Sequence, residues 1–295
     1  MEAPGGFSPI ALVWRRQNVW SQAAVAQKRS IGRSRSLALA FGIATAVLGT
    51  LASQLMDVSQ LTGRLLAVAA ALTGAAVPLA AGRGDAQATQ DWIRLRAVSE
   101  SLKSEAYTYL AGVTPYRDAG AELRLRERLA ELELDAVDLA RHTTGLQPVE
   151  RGLPRVRDFE SYLTNRVDQQ IQGYYRPQAL RMHDRLVRVR RAEVGLSLLS
   201  AGLGSLAAVS AIQQVSGWIA VVATASTAVA AHAASAKFAY QELEYARTAS
   251  ELAALLVRWG TPETPTEGAE DDFVARCEQI ISVQNDAWMV KWTTA

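Results

Sequence analysis

The chain has 295 residues, of which 20% are charged, and a formal net charge of +2 at pH 7. This small charge, with no basic stripe interleaved with aromatic residues, argues against a nucleic-acid partner. The single cysteine, Cys277, excludes an intramolecular disulfide, and the three histidines lack metal-ligand spacing. Because no phosphate loop, nucleophile elbow or zinc-protease motif is present, we expect no enzyme activity, no catalytic residues, no cofactor and no metal.

The first structural feature is an apolar hairpin. Two uncharged runs, Ser36–Met56 of 21 residues and Leu65–Gly82 of 18 residues, flank a polar turn at Asp57–Arg64. A helix needs about 20 apolar residues to cross a bilayer, and backbone groups inside lipid must be paired within the helix. The pattern therefore predicts two transmembrane helices. The preceding 35 residues are too long for a signal peptide, so we expect this segment in the mature protein.

The region between the hairpins has the periodicity of water-exposed helices. One apolar stripe runs from Trp92 to Tyr109 and stops near Gly112. Glu122–Arg141 holds ten charged residues in twenty but keeps an apolar seam, which predicts a helix packed on a partner helix. The seam consists of Leu125, Leu129, Leu132, Ala136 and Leu139. A further helical pattern from Phe159 to Tyr174 leads to Pro177, which ends, kinks or restarts the helix.

A second apolar hairpin repeats the first. The 43 residues from Val194 to Ala236 contain no Asp, Glu, Lys or Arg, enough for two crossings at about 194–212 and 217–236 with QQVSG as the turn. LGTLA at 48–52 aligns with LGSLA at 203–207, so we predict an all-α membrane protein with four transmembrane helices as two parallel-repeat hairpins. The alternative is a soluble bundle with alanine-rich buried helices, which normally keep a polar stripe that these four lack.

The pattern divides the chain into four regions. Residues 1–115 hold a basic N-terminal helix, the first hairpin and a cytoplasmic helix, and 116–175 form a helical connector. Residues 176–260 hold the second hairpin with its flanking helices, and 261–295 a linker and a C-terminal amphipathic helix. Phe273, Cys277 and Ile280 give that last helix an apolar face. It packs on the other helices, or else docks on the membrane surface through Trp288 and Trp292.

Basic residues stand before each hairpin, whereas the turns carry almost no charge. They are Arg29, Arg33 and Arg35 before the first hairpin and Arg185, Arg188, Arg190 and Arg191 before the second. Because basic residues near helix ends stay in the cytoplasm, both turns are expected on the outer side of the cell membrane. Both termini are then expected in the cytoplasm. Two hairpins of the same orientation differ from the inverted repeats of many transporters.

Small residues recur in the apolar runs and predict close helix packing, within a chain or between the subunits of a homo-oligomer. The candidates for packing or for lining a pore are Gly42, Gly49, Gly74, Gly195, Gly202 and Gly204. His232 is the titratable residue of these runs. It is a candidate for an ion or proton pathway, or else a neutral imidazole hydrogen-bonded near the cytoplasmic end. Without charged residues, a pore would select ions poorly.

The arrangement resembles the SLATT family of bacterial two-transmembrane effector domains, in a tandem two-repeat form. A basic helix, an apolar hairpin and an amphipathic helix occur twice, over Val19–Val113 and Tyr174–Gly260. The amphipathic helices read RAVSESLKSEAYTYLAG and YQELEYARTASELAALLVRWG. The resemblance implies an oligomeric effector that opens a pore and depolarises the cell when a separately encoded nucleotide-sensing partner signals. The alternative is a non-conducting membrane-anchored scaffold whose cytoplasmic helices recruit another protein.

Overall fold

The computed structural model describes residues 8–210, 213–260 and 268–293, without the side chains of residues 83, 209–210, 213–214, 216, 232, 235–236 and 283–293. Within these residues every regular element is a helix, which confirms the all-α class. The α-helices are α1 (Pro9–Leu55), α2 (Gln60–Ala81), α3 (Ala86–Ala111), α4 (Ala121–Leu134), α5 (Phe159–Tyr162), α6 (Arg176–Ser210), α7 (Gln213–Ala236), α8 (Phe238–Trp259) and α9 (Ala269–Thr293).

The chain forms two compact units, each assembled from separate stretches of sequence. The apolar unit consists of Ser30–Asp85 and Leu180–Glu242, and it contains all four apolar runs. The bundle unit consists of Met1–Arg29, Ala86–Ala179 and Leu243–Ala295. The polar helical segments that lie before, between and after the apolar runs therefore belong to one unit, although they are far apart in the sequence.

In the apolar unit, α1 and α2 form the first hairpin. Ser34 Oγ donates a hydrogen bond to the carbonyl of Ala80 near one end, and Thr45 Oγ1 lies 3.0 Å from Thr73 Oγ1 further along. The turn spans only residues 56–59, shorter than the predicted Asp57–Arg64. It is shorter because Ser59 Oγ accepts a hydrogen bond from the backbone N–H of Thr62 and so caps α2 from Gln60 onward.

The second apolar run is divided between α6 and α7. The predicted turn QQVSG lies within the first helical turns of α7, since α6 ends at Ser210 and α7 begins at Gln213. Gly217 packs against α1, where a Cβ atom added at Gly217 would lie 3.0 Å from Thr50 Cγ2. Because Thr50 lies near the end of α1, the beginning of α7 and the turn between α1 and α2 lie at the same end of the apolar unit.

The segment that leads into α6 is wound as a π-helix. Residues Leu163–Asp168 and Ile171–Tyr175 have π-helical hydrogen bonding, and α6 starts directly afterwards at Arg176. Pro177 has no backbone N–H, and its ring crowds the carbonyl four residues earlier. Wider π-helical turns before Pro177 accommodate this crowding, so the chain stays helical from Phe159 to Ser210.

The charged connector between the hairpins is divided into two helical pieces. Where the sequence predicted one helix over Glu122–Arg141, α4 ends at Leu134 and a 3₁₀-helix covers Val137–His142. The predicted seam is nevertheless buried at Leu125, Leu129, Ala136 and Leu139. The break at 135–136 lets the 3₁₀-helix bring its charged side chains against α3, an interaction described below.

Candidate functional site

The apolar unit carries helices that suit a lipid environment. Within the described residues, two helical runs, Pro9–Leu55 and Gln60–Ala111, contain 18-residue windows with mean hydropathy of 1.8 and 1.9. Only 6% of each window is buried. The apolar windows of these helices therefore do not form the buried core of a water-soluble bundle. A further apolar helical run, Gly217–Ala231, is shorter.

Large apolar side chains are exposed along α2. The exposed fractions include 71% for Leu61, 67% for Leu72 and 77% for Leu79, and Leu65 and Val68 are exposed between them. Burying a leucine side chain is worth about 1.5–3 kcal/mol relative to leaving it in water. A row of such residues on one helix is stable only if something apolar covers it. Lipid acyl chains can cover these side chains without a further protein.

The predicted packing glycines fall into two groups. A Cβ atom added at Gly74 would lie 3.4 Å from Thr45 Cγ2, so this position packs α2 against α1 within the chain. At the other five, no neighbouring heavy atom lies within 4 Å of an added Cβ. These are Gly42, Gly49, Gly195, Gly202 and Gly204. Their small faces are open in the single chain.

The predicted basic residues lie at the surface. Arg35 is partly buried, and the other six are exposed. The exposed residues are Arg29, Arg33, Arg185, Arg188, Arg190 and Arg191. Arg185 Cζ lies 5.9 Å from the centroid of the Phe238 ring, and His183 Nδ1 lies 3.0 Å from Glu242 Oε1. These two contacts place the beginning of α6 beside the beginning of α8. His232 lies in α7, and its side chain is outside the described residues.

The bundle unit contains a buried ion pair that sequence reasoning missed. Arg166 Nε and Nη2 donate hydrogen bonds of 2.9 and 2.8 Å to the two carboxylate oxygens of Glu278. The Tyr162 hydroxyl donates to Glu278 Oε1 at 2.9 Å, and Arg166 Cζ lies 4.1 Å from the centroid of the Tyr107 ring. The Arg166 side chain is 1% exposed and that of Glu278 is 7% exposed. The pair joins the π-helical segment to α9.

The two charges of the Arg166–Glu278 pair stabilise each other against the effect of burial. Burial alone would lower the pKa of Arg166, but the charge and hydrogen bonds of Glu278 outweigh it and raise that pKa. Arg166 Nη1 is buried without a hydrogen-bond partner, which is costly in a protein interior.

A second pair of charged residues lies on α3, where Glu100 Oε2 is 3.8 Å from Lys103 Nζ. Burial lowers the pKa of Lys103, because its neighbours offset the lost hydration only in part.

A second charged contact fixes the 3₁₀-helix on α3. Asp91 is 5% exposed and accepts hydrogen bonds from Gln87 at 2.9 Å and from Arg141 at 2.7 Å, and His142 Nε2 lies 3.0 Å from its carboxylate. Burial alone would raise the pKa of Asp91, but the contacts with Arg141, Gln87 and His142 lower it. Asp91 is therefore a charged anchor rather than a proton donor near neutral pH.

The N-terminal tryptophans belong to the bundle unit. Trp20 is 4% exposed, and its Nε1 lies 3.3 Å from Glu133 Oε1. Trp14 donates from Nε1 to the carbonyl of Gly152 at 3.1 Å and meets the Tyr107 ring edge-on at 6.2 Å. Tryptophan rings near basic residues can also lie in the lipid headgroup layer. The contacts show that both pack against protein.

Family comparison agrees with the resemblance noted from the sequence. Residues 162–288 match the family model of SLATT_1, the SMODS and SLOG-associating 2TM effector domain 1. Residues 18–122 match DUF4231, a protein family of unknown function. No curated protein and no solved structure matches the chain significantly. With the apolar helices, the effector-domain match indicates a membrane protein, and the buried Arg166–Glu278 pair joins the two end regions of the matched segment.

Proposed function

From the premise that residues 162–288 belong to the SLATT family of membrane effector domains, we propose that this protein is an integral membrane effector that self-associates and forms or gates an ion-conducting pore. In this proposal α1, α2, α6 and α7 each cross the membrane, and the bundle unit lies in the cytoplasm with both termini. The protein acts at the cell membrane in a nucleotide-signalled defence response, and a separately encoded regulatory protein supplies the signal.

The observation that carries the proposal is the open glycine face of an otherwise lipid-compatible unit. Gly42 and Gly49 lie seven residues apart, so they share one side of α1, and no protein atom occupies the space a side chain would fill at either position. Close approach at small residues drives helix association in lipid. A second copy of the chain fits this face, because it would supply packing that the single chain lacks.

Reconstitution in liposomes tests the proposal. Vesicles that contain the full chain, with a potassium gradient and valinomycin to set a membrane potential, should dissipate the dye-reported potential faster than empty vesicles. The variant Gly42→Leu/Gly49→Leu should form smaller oligomers and lose this activity. Ala71→Leu/Ala75→Leu is the control, because it also introduces two leucines, at two exposed positions of α2, and it should keep both properties.

Membrane depolarisation in cells distinguishes a pore that opens only when it is signalled from a non-conducting scaffold. Induced expression of the full chain together with its regulatory partner should depolarise bacteria that carry a membrane-potential dye. Sealed vesicles and fully polarised cells, with the protein in the membrane fraction, would contradict the pore and favour the scaffold. In that case the hairpins anchor the bundle unit without conducting.

A further inference from the structure

The apolar unit has a strongly uneven charge distribution along its length. We define the arginine collar as Arg33, Arg35, Arg185, Arg188, Arg190 and Arg191. Five of these side chains are exposed and Arg35 is partly buried. Beyond the collar, the 17 residues of α6 from Val194 to Ser210 contain no charge. At the opposite end, the turn between α1 and α2 contains Asp57, and Arg64 follows it near the beginning of α2.

The collar lies one bilayer thickness from the junctions of both hairpins. Arg33 precedes the end of α1 at Leu55 by 22 residues, and Arg188 precedes the end of α6 at Ser210 by the same number. At 1.5 Å per residue, each interval is about 33 Å, compared with about 30 Å for the hydrocarbon core of a bilayer. If the junctions lie at one surface of the core, the collar lies in the headgroup layer of the other.

Five of the six collar arginines are available for an anionic partner. Within the described residues, Arg33, Arg185, Arg188, Arg190 and Arg191 form no ion pair with a carboxylate. Arg185 instead faces the Phe238 ring, and Arg188 Nε donates to the backbone carbonyl of Asp184 at 3.3 Å. Guanidinium groups bind phosphate through paired hydrogen bonds as well as through charge. Four arginines in the seven residues 185–191 give this part of α6 a high density of such donors.

From this placement, and on the basis of the proposed membrane insertion, we propose that the arginine collar binds the phosphate headgroups of anionic phospholipids and that the protein recruits these lipids around α6. Clusters of basic residues beside a transmembrane helix attract anionic lipid through their charge. Binding to the collar should weaken with salt, because the charges lie at the aqueous surface.

Lipid retention provides the test. The full chain is reconstituted in phosphatidylcholine mixed with phosphatidylglycerol, extracted in mild detergent, and the retained lipid is quantified by mass spectrometry. We expect the ratio of phosphatidylglycerol to phosphatidylcholine retained by the wild-type protein to exceed the bulk ratio at least about fivefold, the factor that a single basic residue supplies. The variant with Arg185, Arg188, Arg190 and Arg191 changed to Gln should retain lipid in the bulk ratio. Added sodium chloride should lower the enrichment by the wild-type protein.

A charge-matched control distinguishes a specific collar from general attraction. Arg126, Arg151, Arg155 and Arg157 are exposed arginines of the bundle unit, and their replacement by Gln should leave the enrichment unchanged. A bulk lipid ratio for wild type, or equal losses in the two variants, would overturn the inference. Alkaline washing of the membranes separates it from the proposed function: protein that stays in the membrane without enrichment contradicts the collar alone, whereas protein released by alkali contradicts membrane insertion itself.

Discussion

Arg166 and Glu278 are 112 residues apart in the sequence and form a bidentate ion pair that is almost completely buried. Arg166 comes from a π-helical turn, and Glu278 comes from α9, so the pair fixes the rotation of both helices about their axes. A buried pair of this kind is not a large net source of stability, because both charges lose their hydration. Its role is to specify how α9 docks, since a shifted helix would leave two unpaired charges in the interior.

Breaking this pair should destabilise the protein strongly. Arg166→Met leaves Glu278 as an uncompensated buried charge, and we expect a loss of about 3–5 kcal/mol of unfolding free energy. Denaturant unfolding in detergent, followed by intrinsic tryptophan fluorescence, measures it. In the double variant Arg166→Met/Glu278→Gln, the destabilisation should be smaller than the sum of the two single variants by about 0.5–3 kcal/mol.

An exposed pair supplies the control for that experiment. Arg247 Nε lies 2.8 Å from Glu251 Oε1 on the surface of α8, and the two side chains are 66% and 42% exposed. Arg247→Met should therefore cost no more than about 1 kcal/mol. Equal losses for Arg166→Met and Arg247→Met would show that burial does not set the strength of the Arg166 contact.

The Asp91 anchor should make stability depend on acid pH. Its pKa is lower in the folded state than in the unfolded chain, because the contacts with Arg141 and His142 favour the carboxylate. The stabilisation is therefore fully present above the unfolded value near 4 and is lost as pH falls through the lower folded pKa. Asp91→Asn should be less stable than wild type at pH 6. The difference should shrink as the pH is lowered below 4, and a difference that does not depend on pH would contradict the assignment.

Cys277 should report whether α9 is docked. The side chain is fully buried, and burial with the neighbouring Glu278 charge raises the pKa of its thiol to about 12. Only about one thiol in ten thousand would be ionised at pH 8, so iodoacetamide should react very slowly with native protein. Phe273→Ala, which removes an aromatic contact of α9 with Phe159 and Trp259, should accelerate labelling without denaturant. Rapid labelling of wild type would show that α9 is not held in place.

The tight first turn should be sensitive to a single methyl group. A Cβ atom added at Gly63 would lie 2.9 Å from Met56 Cα, a backbone atom that cannot move away cheaply. Gly63→Ala should therefore cost about 1–3 kcal/mol of unfolding free energy. Gly32→Ala in α1 is the control, because the same methyl group meets open space there and alanine is the better helix former. Thermal unfolding of the two variants in detergent compares them, and equal stability would contradict the close approach at Gly63.

The long-period features of the fold could be predicted from the sequence. Runs without charge indicated the apolar helices, and a repeated apolar position every three or four residues indicated the buried seam from Leu125 to Leu139. The end of α4 and the π-helical turns could not be predicted from the sequence pattern. The end of α4 at Leu134 depends on contacts of the following 3₁₀-helix with Asp91, and the π-helical turns depend on accommodating Pro177 in a continuous helix.

The sequence carries an indication of the buried ion pair between Arg166 and Glu278. Arg166 stands beside Val167 on the apolar face between Tyr162 and Ile171, and Glu278 stands beside Cys277 between Val274 and Ile281. Opposite charges on the apolar faces of two helices indicate a buried pair, because neither charge is stable there alone. The sequence alone could not pair them, since no local pattern relates positions 112 residues apart.

The central claim is that the apolar unit spans a lipid bilayer with both hairpin junctions on one side. Single cysteines at Val58 and Val215, in a Cys277→Ser background, can be labelled with a membrane-impermeant maleimide in sealed right-side-out and inside-out vesicles. The account predicts that both sites react from outside in right-side-out vesicles and that neither reacts in inside-out vesicles until detergent is added. Labelling of the two sites from opposite sides, or a chain that stays soluble without membranes, would contradict it.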